Sequence, residues 1–272
     1  MNPSESTLYV QSLATGIAVL DAFDPQHASM SLPEIAVAAG ISRSAAQRFA
    51  FTLEALGLLI KDPVSKRYSL SSRTLDAGCH YLQSHSLLDR ANPYLLDLNR
   101  NAGETVNLAE PVGTDMIYIG RFPSPTRLLV HMPVGRRIPM YCSSTGRAYL
   151  SSLPEERAIE LLESTQRIRF TPNTVVDLQE LLGRLQLARE EGYAYCNEEY
   201  YRGDLALAVP VFDLNHQVVA SLQMSVPVSK WTLKKAVSRF VPMMQDTARL
   251  ISTTPPTQRP LNSFLGPNIE QP

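Results

Sequence analysis

The sequence has few of the features that mark extracellular, metal-binding or membrane proteins. Its 272 residues include three cysteines, Cys79, Cys142 and Cys196, and no C-x-x-C pair. This spacing disfavours a structural zinc site, and the odd number disfavours a disulfide framework. No apolar run reaches the roughly 18 to 20 residues of a membrane span, and the first twenty residues do not have the pattern of a secretory signal. We therefore expect a cytoplasmic protein with no metal, no cofactor and no membrane contact.

An excess of charge of either sign is also missing, because 25 basic residues stand against 26 acidic ones. A nucleic-acid-binding protein is expected to show a basic footprint, so the overall balance gives no sign of such a partner. The sequence also lacks the G-x-S-x-G, Walker, G-x-G-x-x-G and H-E-x-x-H motifs. Cys142 could pair with His131 or His216 as a thiolate, but a lone cysteine is more often a small buried residue. We therefore do not expect an enzyme.

The chain does contain enough apolar residues for a sizeable core, at 44 % of the total. At roughly 150 residues per domain, its length predicts about two domains. Apolar residues spaced by three and four predict an amphipathic helix over residues 8–23, and they are Val10, Leu13, Ile17, Leu20 and Phe23.

Two further helices and a tight turn follow. Ser31 and Glu34 have the spacing of a capping box, and Gly40 is suited to end the helix that they begin. Ser42 then predicts the start of a third helix over residues 43–56. This arrangement is typical of a helix-turn-helix.

The third helix is predicted to have a polar face. At 100° per residue, Arg43, Ser44, Gln47 and Arg48 lie on one side of it. Their guanidinium, hydroxyl and amide groups are donors to phosphates and base edges, with no acid among them. Phe51 lies on the same side, about 80° from Arg43, and we expect it to pack on a following hairpin or on the second domain.

That hairpin is predicted directly after the helix, over residues 58–70, and is typical of a wing. Its turn brings Lys61, Lys66 and Arg67 together, which suits contacts to phosphates. Residues 40–74 carry six basic and two acidic side chains, a local net charge of +4 that the overall neutrality hides. The alternative for this module is a structural helical bundle that does not touch DNA.

The remainder has an α+β pattern. A connecting helix is predicted over residues 71–90, and Asn92-Pro93 resembles the start of another. Further helices are predicted near residues 143–152, 155–165, 175–190 and 231–252. Strand-like segments cover residues 106–112, 116–122, 127–134, 193–196, 205–212 and 218–226. Because the strands follow one another mainly as hairpins, with a turn at Asn215-His216, we expect an antiparallel sheet covered by helices.

We expect four regions: a winged helix-turn-helix domain in residues 1–73, a linker helix in 74–91, an α+β domain in 92–253 and a disordered tail in 254–272.

The segment CSSTG at residues 142–146 is predicted to open a helix, where free N–H groups and hydroxyls favour a carboxylate. Ordinary capping by Ser143 or Ser144 is the alternative. Four arginines lie nearby in sequence, and one of them inside a pocket would suit a bidentate carboxylate, the others being solvated. They are Arg127, Arg136, Arg137 and Arg147.

Taken in order, these parts resemble the IclR family of bacterial transcriptional regulators over about residues 9–252. The resemblance is carried by LPEIAVAAGISRSAAQRFAFTLEALGLL, RYSLSSRTLDAG, VGRRIPMYCSSTGRAYLSSLP and EEGYAYCNEEYYRGDLALAVPVFDLNHQVVASLQMSVP.

The resemblance implies a dimer, or a tetramer formed from two dimers, that binds palindromic operator DNA. It also implies a GAF-like C-terminal domain that binds a small metabolite, commonly a carboxylic acid. By position, the residues that contact DNA are Ser42, Arg43, Ser44, Gln47, Arg48, Lys66 and Arg67. Those that contact the effector are Ile138, Ser144, Thr145, Cys196, Asp204, Ala206, Gln223 and Ser225, and we add Arg127 as a carboxylate partner. The resemblance favours an anion site over simple capping at Ser144-Thr145.

The chain departs from the family pattern at two places. Cys196 and Asn197 stand where many members have acidic residues, and Arg147 stands where lysine is frequent. The latter, with Arg127, is closer to regulators of aromatic-acid catabolism, so we expect an aromatic carboxylate or a related compound. The expected function is an effector-responsive repressor or activator of a catabolic operon. The alternative is a small-molecule-binding or enzymatic domain attached to a structural helical module.

Overall fold

The computed structural model describes residues 6–125 and 133–254, and the chain divides into two compact units between Tyr81 and Leu82. Along the described residues, no helix is both long and apolar enough to cross a membrane.

The first unit contains the three expected helices and the hairpin. Its elements are α1 (Gln11–Asp21), α2 (Leu32–Ala38), α3 (Arg43–Ala55), β1 (Leu59–Lys61) and β2 (Tyr68–Leu70), the two strands being antiparallel. The predicted caps are present. The Glu34 carboxylate accepts hydrogen bonds from the Ser31 N–H and hydroxyl at 2.7 and 2.8 Å, and the Ser42 hydroxyl accepts from the Ala45 N–H at 3.2 Å. Gly40 has a φ of +65°, the conformation that a tight turn between α2 and α3 requires.

The apolar stripe of α1 is only partly used in the core of its unit. Val19 and Phe23 are buried, whereas Val10, Leu13 and Ile17 are 49 to 66 % exposed. The first half of α1 therefore presents an apolar face to its surroundings.

The connecting helix ends earlier than predicted. The helix α4 (Leu75–Ser84) stops before His85, whose Nδ1 accepts the Leu88 N–H and so caps α5 (Ser86–Ala102). The predicted helix start at Asn92-Pro93 is therefore wrong, because Pro93 lies inside α5. Burial of Leu88, Ala91 and Leu95 against the sheet outweighs the hydrogen bond that proline cannot donate.

The second unit is the expected antiparallel sheet with helices on its faces. Its strands are β3 (Thr105–Val112), β4 (Asp115–Phe122), β5 (Arg137–Pro139), β6 (Ala194–Asn197), β7 (Asp204–Phe212) and β8 (Val218–Pro227), in the spatial order β5-β4-β3-β8-β7-β6. The further helices are α6 (Ser144–Ser151), α7 (Glu155–Glu163), α8 (Leu178–Glu191) and α9 (Leu233–Thr253). The turn at Asn215-His216 joins β7 to β8, as predicted. Most of the strand predicted over 127–134 lies outside the described residues, and so does the tail from 255.

The two faces of the sheet differ in polarity because successive side chains alternate. On β7, Leu205, Leu207 and Val209 belong to the core formed with α5 and α9, whereas Ala208 packs with α6 and α8. The polar side chains Thr105, Asn107, Asp204, Ser221, Gln223 and Ser225 fall on this second face.

A β-bulge at Ile119 changes the alternation on β4. Leu108 pairs with Gly120 and Ala109 pairs with Tyr118, so Ile119 has no partner of its own on β3. As a result Tyr118 and Arg121, three positions apart, lie on the same face of the sheet. This face is the one covered by α6.

Candidate functional site

The predicted polar face of α3 is exposed to solvent. Arg43, Ser44, Gln47 and Arg48 are all exposed. The Ser42 hydroxyl caps the helix and lies 3.1 Å from the Ser44 hydroxyl. The one acid of α3, Glu54, lies near its C-terminal end, so the first two turns present donors to an anionic partner.

Phe51 does not pack where we expected. Its side chain is 69 % exposed, so most of its surface is left uncovered. The core takes the opposite side of α3 through Ala46, Ala50 and Leu53, which leaves Phe51 beside Gln47 and Arg48 on the polar face.

The basic side chains of the wing fall into two groups. Arg67 is held inside the unit, because its Nη2 lies 2.8 Å from a Glu34 carboxylate oxygen and donates to the Ser29 carbonyl at 2.6 Å. Arg73 donates to the Leu56 carbonyl at the end of α3. Lys61 and Lys66 are exposed. Of the six cations counted in the sequence, four are therefore exposed, and they are Arg43, Arg48, Lys61 and Lys66. Lys61 lies over the Tyr68 ring, and Lys66 donates to the Pro63 carbonyl within the turn of the hairpin.

The second unit contains a cavity between the polar face of the sheet and the N-terminus of α6. The space in and around it is about 530 Å³, a figure that includes open solvent. Seven of the predicted effector residues line it, namely Ile138, Ser144, Cys196, Asp204, Ala206, Gln223 and Ser225. Thr145 is buried behind this wall, where its hydroxyl lies 3.4 Å from that of Ser143. Arg127 lies outside the described residues.

A hydrogen-bond network joins three walls of the cavity. The Gln223 carbonyl oxygen accepts from Asn107 at 2.8 Å and from the Tyr118 hydroxyl at 3.0 Å. The Gln223 amide lies 3.3 Å from the Ser144 hydroxyl, and Arg121 donates to the Asn107 carbonyl oxygen at 3.2 Å. The network orients these groups before any ligand arrives.

Two charged groups face each other along the same sheet surface. Burial raises the pKa of Asp204 to about 6, although a hydrogen bond from Ser225 and the charge of Arg121 lower it. Burial lowers the pKa of Arg121, opposed by Tyr118 and Asp204. Arg121 is the only basic side chain on the wall of this cavity within the described residues.

The α6 N-terminus combines a helix cap with a part of the cavity wall. Ser143 caps the helix by accepting the Gly146 N–H at 3.1 Å, and Ser144 lines the cavity. Gly146 permits a close approach, because a Cβ there would lie 2.2 Å from the Met140 Cα. The turn before α6 therefore holds both serines in place.

Arg147 is one of the four arginines that were expected to be either solvated or inside a pocket, and the structure buries it in the protein interior. Its guanidinium is 1 % exposed and binds both carboxylate oxygens of Glu199, at 2.5 and 2.6 Å. It also donates to the carbonyls of Tyr141 and Tyr195. Its bidentate carboxylate is thus supplied by the protein itself. The pair anchors the turn that carries Tyr200 and Tyr201 on the cavity wall.

The cavity cysteines are not suited to nucleophilic chemistry. Burial raises the pKa of the Cys142 thiol to about 12 and raises that of Cys196 well above its usual value. Both groups are therefore protonated near neutral pH, and the thiolate is the reactive form. His131, one of the two histidines considered as partners, lies outside the described residues.

Seven further residues line the cavity that the sequence analysis did not single out, and they are Thr105, Asn107, Tyr118, Arg121, Glu199, Tyr200 and Tyr201. Because side chains alternate along a strand, Asn107 could have been placed on the other face of β3 from its apolar neighbours. The bulge that turns Arg121 toward the cavity, and the turn that folds Glu199 back onto Arg147, have no simple sequence signal.

Comparisons with known proteins agree over both units. The family model "IclR helix-turn-helix domain" matches residues 12–63, and "Bacterial transcriptional regulator IclR C-terminal" matches residues 79–253. The Pca regulon regulatory protein of Pseudomonas putida is 32 % identical, over 89 % of this chain and 82 % of that protein. The HTH-type transcriptional repressor AllR of Escherichia coli K12 is 31 % identical, over 89 % of each chain.

A solved structure extends the match to three dimensions. The IclR transcriptional regulator from Alicyclobacillus acidocaldarius superimposes with a TM-score of 0.78 at 28 % identity, covering 90 % of this chain and 98 % of that one. Members of this family are non-enzymatic regulators that bind DNA through the helix-turn-helix and an effector through the C-terminal domain. The chain belongs to the IclR family of bacterial transcriptional regulators.

Proposed function

We propose that this regulator controls a catabolic operon by binding operator DNA through α3 and the wing, and that it senses a small aromatic carboxylic acid in the second-unit cavity. The observation that carries the proposal is the cavity wall itself, where one guanidinium stands in a preformed polar network beneath the N-terminus of a helix.

The carboxylate of the effector binds Arg121 in this proposal. Arg147 cannot take that role because it is not on the cavity wall and because both of its terminal nitrogens are paired with Glu199. The hydroxyl of Ser144 and the positive end of α6 add to the attraction for an anion. Arg127, the partner proposed in the sequence, remains a second candidate.

The remainder of the effector is aromatic in this proposal. Tyr118, Tyr200, Tyr201 and Ile138 form much of the wall, and aromatic faces and edges pack well against a ring. The name of the Pca regulon regulatory protein, a relative at 32 % identity, supports control of a regulon as the physiological role.

A homodimer, or a tetramer made from two dimers, would carry this function on a palindromic operator. The exposed apolar side chains of Val10, just before α1, and of Leu13 and Ile17 on α1 are suited to a second copy of the chain. The effector then alters DNA affinity by binding one arrangement of the assembly more tightly than another. Sedimentation of the full chain measures its oligomeric state.

The experiment combines DNA and effector binding on the same protein. Fluorescence anisotropy with duplexes from the region upstream of its own gene should give a specific complex whose affinity falls with salt. Calorimetry with a panel of aliphatic and aromatic acids should then identify ligands, and Arg121→Gln should weaken the best acid at least about tenfold. DNA affinity without ligand should not change.

Arg157→Gln, at an exposed position of α7, is the matched control and should leave both affinities unchanged. Equal acid binding by the Arg121→Gln variant would refute the carboxylate assignment. Failure to form any salt-sensitive complex with DNA would refute the regulatory function.

A further inference from the structure

Phe51 is a large apolar side chain on a face otherwise made of hydrogen-bond donors. It lies three residues after Arg48 and four after Gln47 on α3, positions that neighbour each other on a helix surface. Its ring is 69 % exposed, and the three polar neighbours Ser44, Gln47 and Arg48 are exposed with it.

We propose that Phe51 contacts the 5-methyl group of a thymine in the major groove and so contributes to operator specificity. The inference rests on the function proposed above, in which α3 enters that groove. Among the bases, thymine alone presents a methyl group there, and apolar side chains including phenylalanine are its partners.

The spacing along the helix suits such a contact. At 1.5 Å per residue, Phe51 lies about 6 Å beyond Gln47 along the axis. Base pairs are separated by about 3.4 Å. A helix lying along the groove therefore places Phe51 about two base pairs from the base that Gln47 reaches, and a thymine at that offset is the predicted target.

The neighbours of Phe51 favour DNA over a protein partner. A protein surface that covered the ring would also cover Arg48 and Gln47, and a buried charge or amide without a partner is costly. DNA offers phosphates and base edges to these donors and a methyl group to the ring between them. The exposed cations Arg43 and Arg48 on the same helix and Lys61 and Lys66 on the wing add charge complementarity.

The test removes the methyl group and the ring separately. Selection from random duplexes with the full-length protein first defines the half-site. Each thymine of that site is then replaced in turn by deoxyuridine, which differs only in the 5-methyl group, and affinity is measured by anisotropy at fixed salt. The unsubstituted protein should lose a factor of about four at one thymine per half-site, the value expected for burial of one methyl.

The Phe51→Ala variant should bind the thymine duplex more weakly than the unsubstituted protein does. It should bind the thymine and deoxyuridine duplexes with equal affinity, so that its discrimination between them disappears. Phe51→Leu should retain part of it. Leu214→Ala, at a 61 % exposed position of the second unit, should discriminate as the unsubstituted protein does. The helical signal in circular dichroism checks that each variant is folded.

Three results would overturn the inference. They are an affinity that no deoxyuridine substitution lowers, full discrimination by the Phe51→Ala variant, or a loss of DNA binding by that variant together with a smaller sedimenting mass than the unsubstituted protein has. The last would assign Phe51 to contact with a second copy of the chain. Selection of no duplex at all would instead refute the proposed function.

Discussion

Replacing Asp204 by asparagine should stabilise the second unit, and by more at pH 7.5 than at pH 5. Burial raises the pKa of this carboxyl to about 6 from an ordinary value of 3.8. At a pH between these two pKa values, the folded chain therefore keeps a proton that the unfolded chain has already released. Stability from this group falls as the pH rises through that interval and is constant above it.

The magnitude follows from the two pKa values. At 1.36 kcal/mol per pKa unit, the raised pKa costs the folded state roughly 1.6 kcal/mol at pH 5, where the carboxyl takes up a proton on folding, and about 3 kcal/mol at pH 7.5, where it stays ionised. Asparagine carries no such cost and retains an oxygen that can accept from Ser225. The difference in unfolding free energy between the variant and the parent should therefore grow by about 1.4 kcal/mol from pH 5 to pH 7.5.

Urea unfolding followed by tryptophan fluorescence measures this difference. Trp231 is the single tryptophan of the chain, and it packs on Phe240 and donates to Glu104 within the second unit. Asp246→Asn, at a 69 % exposed position, is the matched control. A stability difference that does not change with pH, or that shrinks as the pH rises, would refute the reasoning.

Three further variants test other parts of the structure. Glu199→Gln leaves the buried guanidinium of Arg147 without its counter-ion and should cost about 3 to 5 kcal/mol of unfolding free energy; a loss below about 1 kcal/mol would contradict it. Gly146→Ala should prevent normal folding of the second unit, because its Cβ would overlap the Met140 backbone; a native near-ultraviolet spectrum would contradict it. Arg67→Ala should weaken DNA binding without changing its salt dependence, because the guanidinium pairs within the unit; a slope smaller by about one would show a phosphate contact instead.

Features set by neighbouring residues could be predicted from the sequence. The caps at Ser31 and Ser42 and the turn at Gly40 depend on short-range geometry, so the helix-turn-helix followed from spacing alone. The antiparallel sheet followed from the succession of hairpins. Seven cavity residues followed from resemblance, although nothing in their spacing would have brought Asp204 and Gln223 together.

The failures came where tertiary contacts decide the outcome. Pro93 continues a helix because its neighbours are buried against the sheet. Arg147 is an interior group because Glu199, 52 residues later, returns to pair with it. Arg67, whose contact with DNA stays a prediction, also pairs inside its unit because Glu34 and Ser29 are folded beside it. Each depends on a partner distant in sequence, which a local pattern does not contain.

The bulge at Ile119 ties the register of the β3–β4 hairpin to the direction of one charged side chain. Deleting Ile119 would leave Tyr118 and Arg121 two positions apart on a regular strand, so the guanidinium would stay on the cavity face. Pairing Ile119 regularly with β3 would instead turn Arg121 toward Leu88 and Leu95, which the backbone at Gly120 now approaches. Burying a guanidinium among leucines is costly, so the charge on the cavity wall also selects the bulged register of the hairpin.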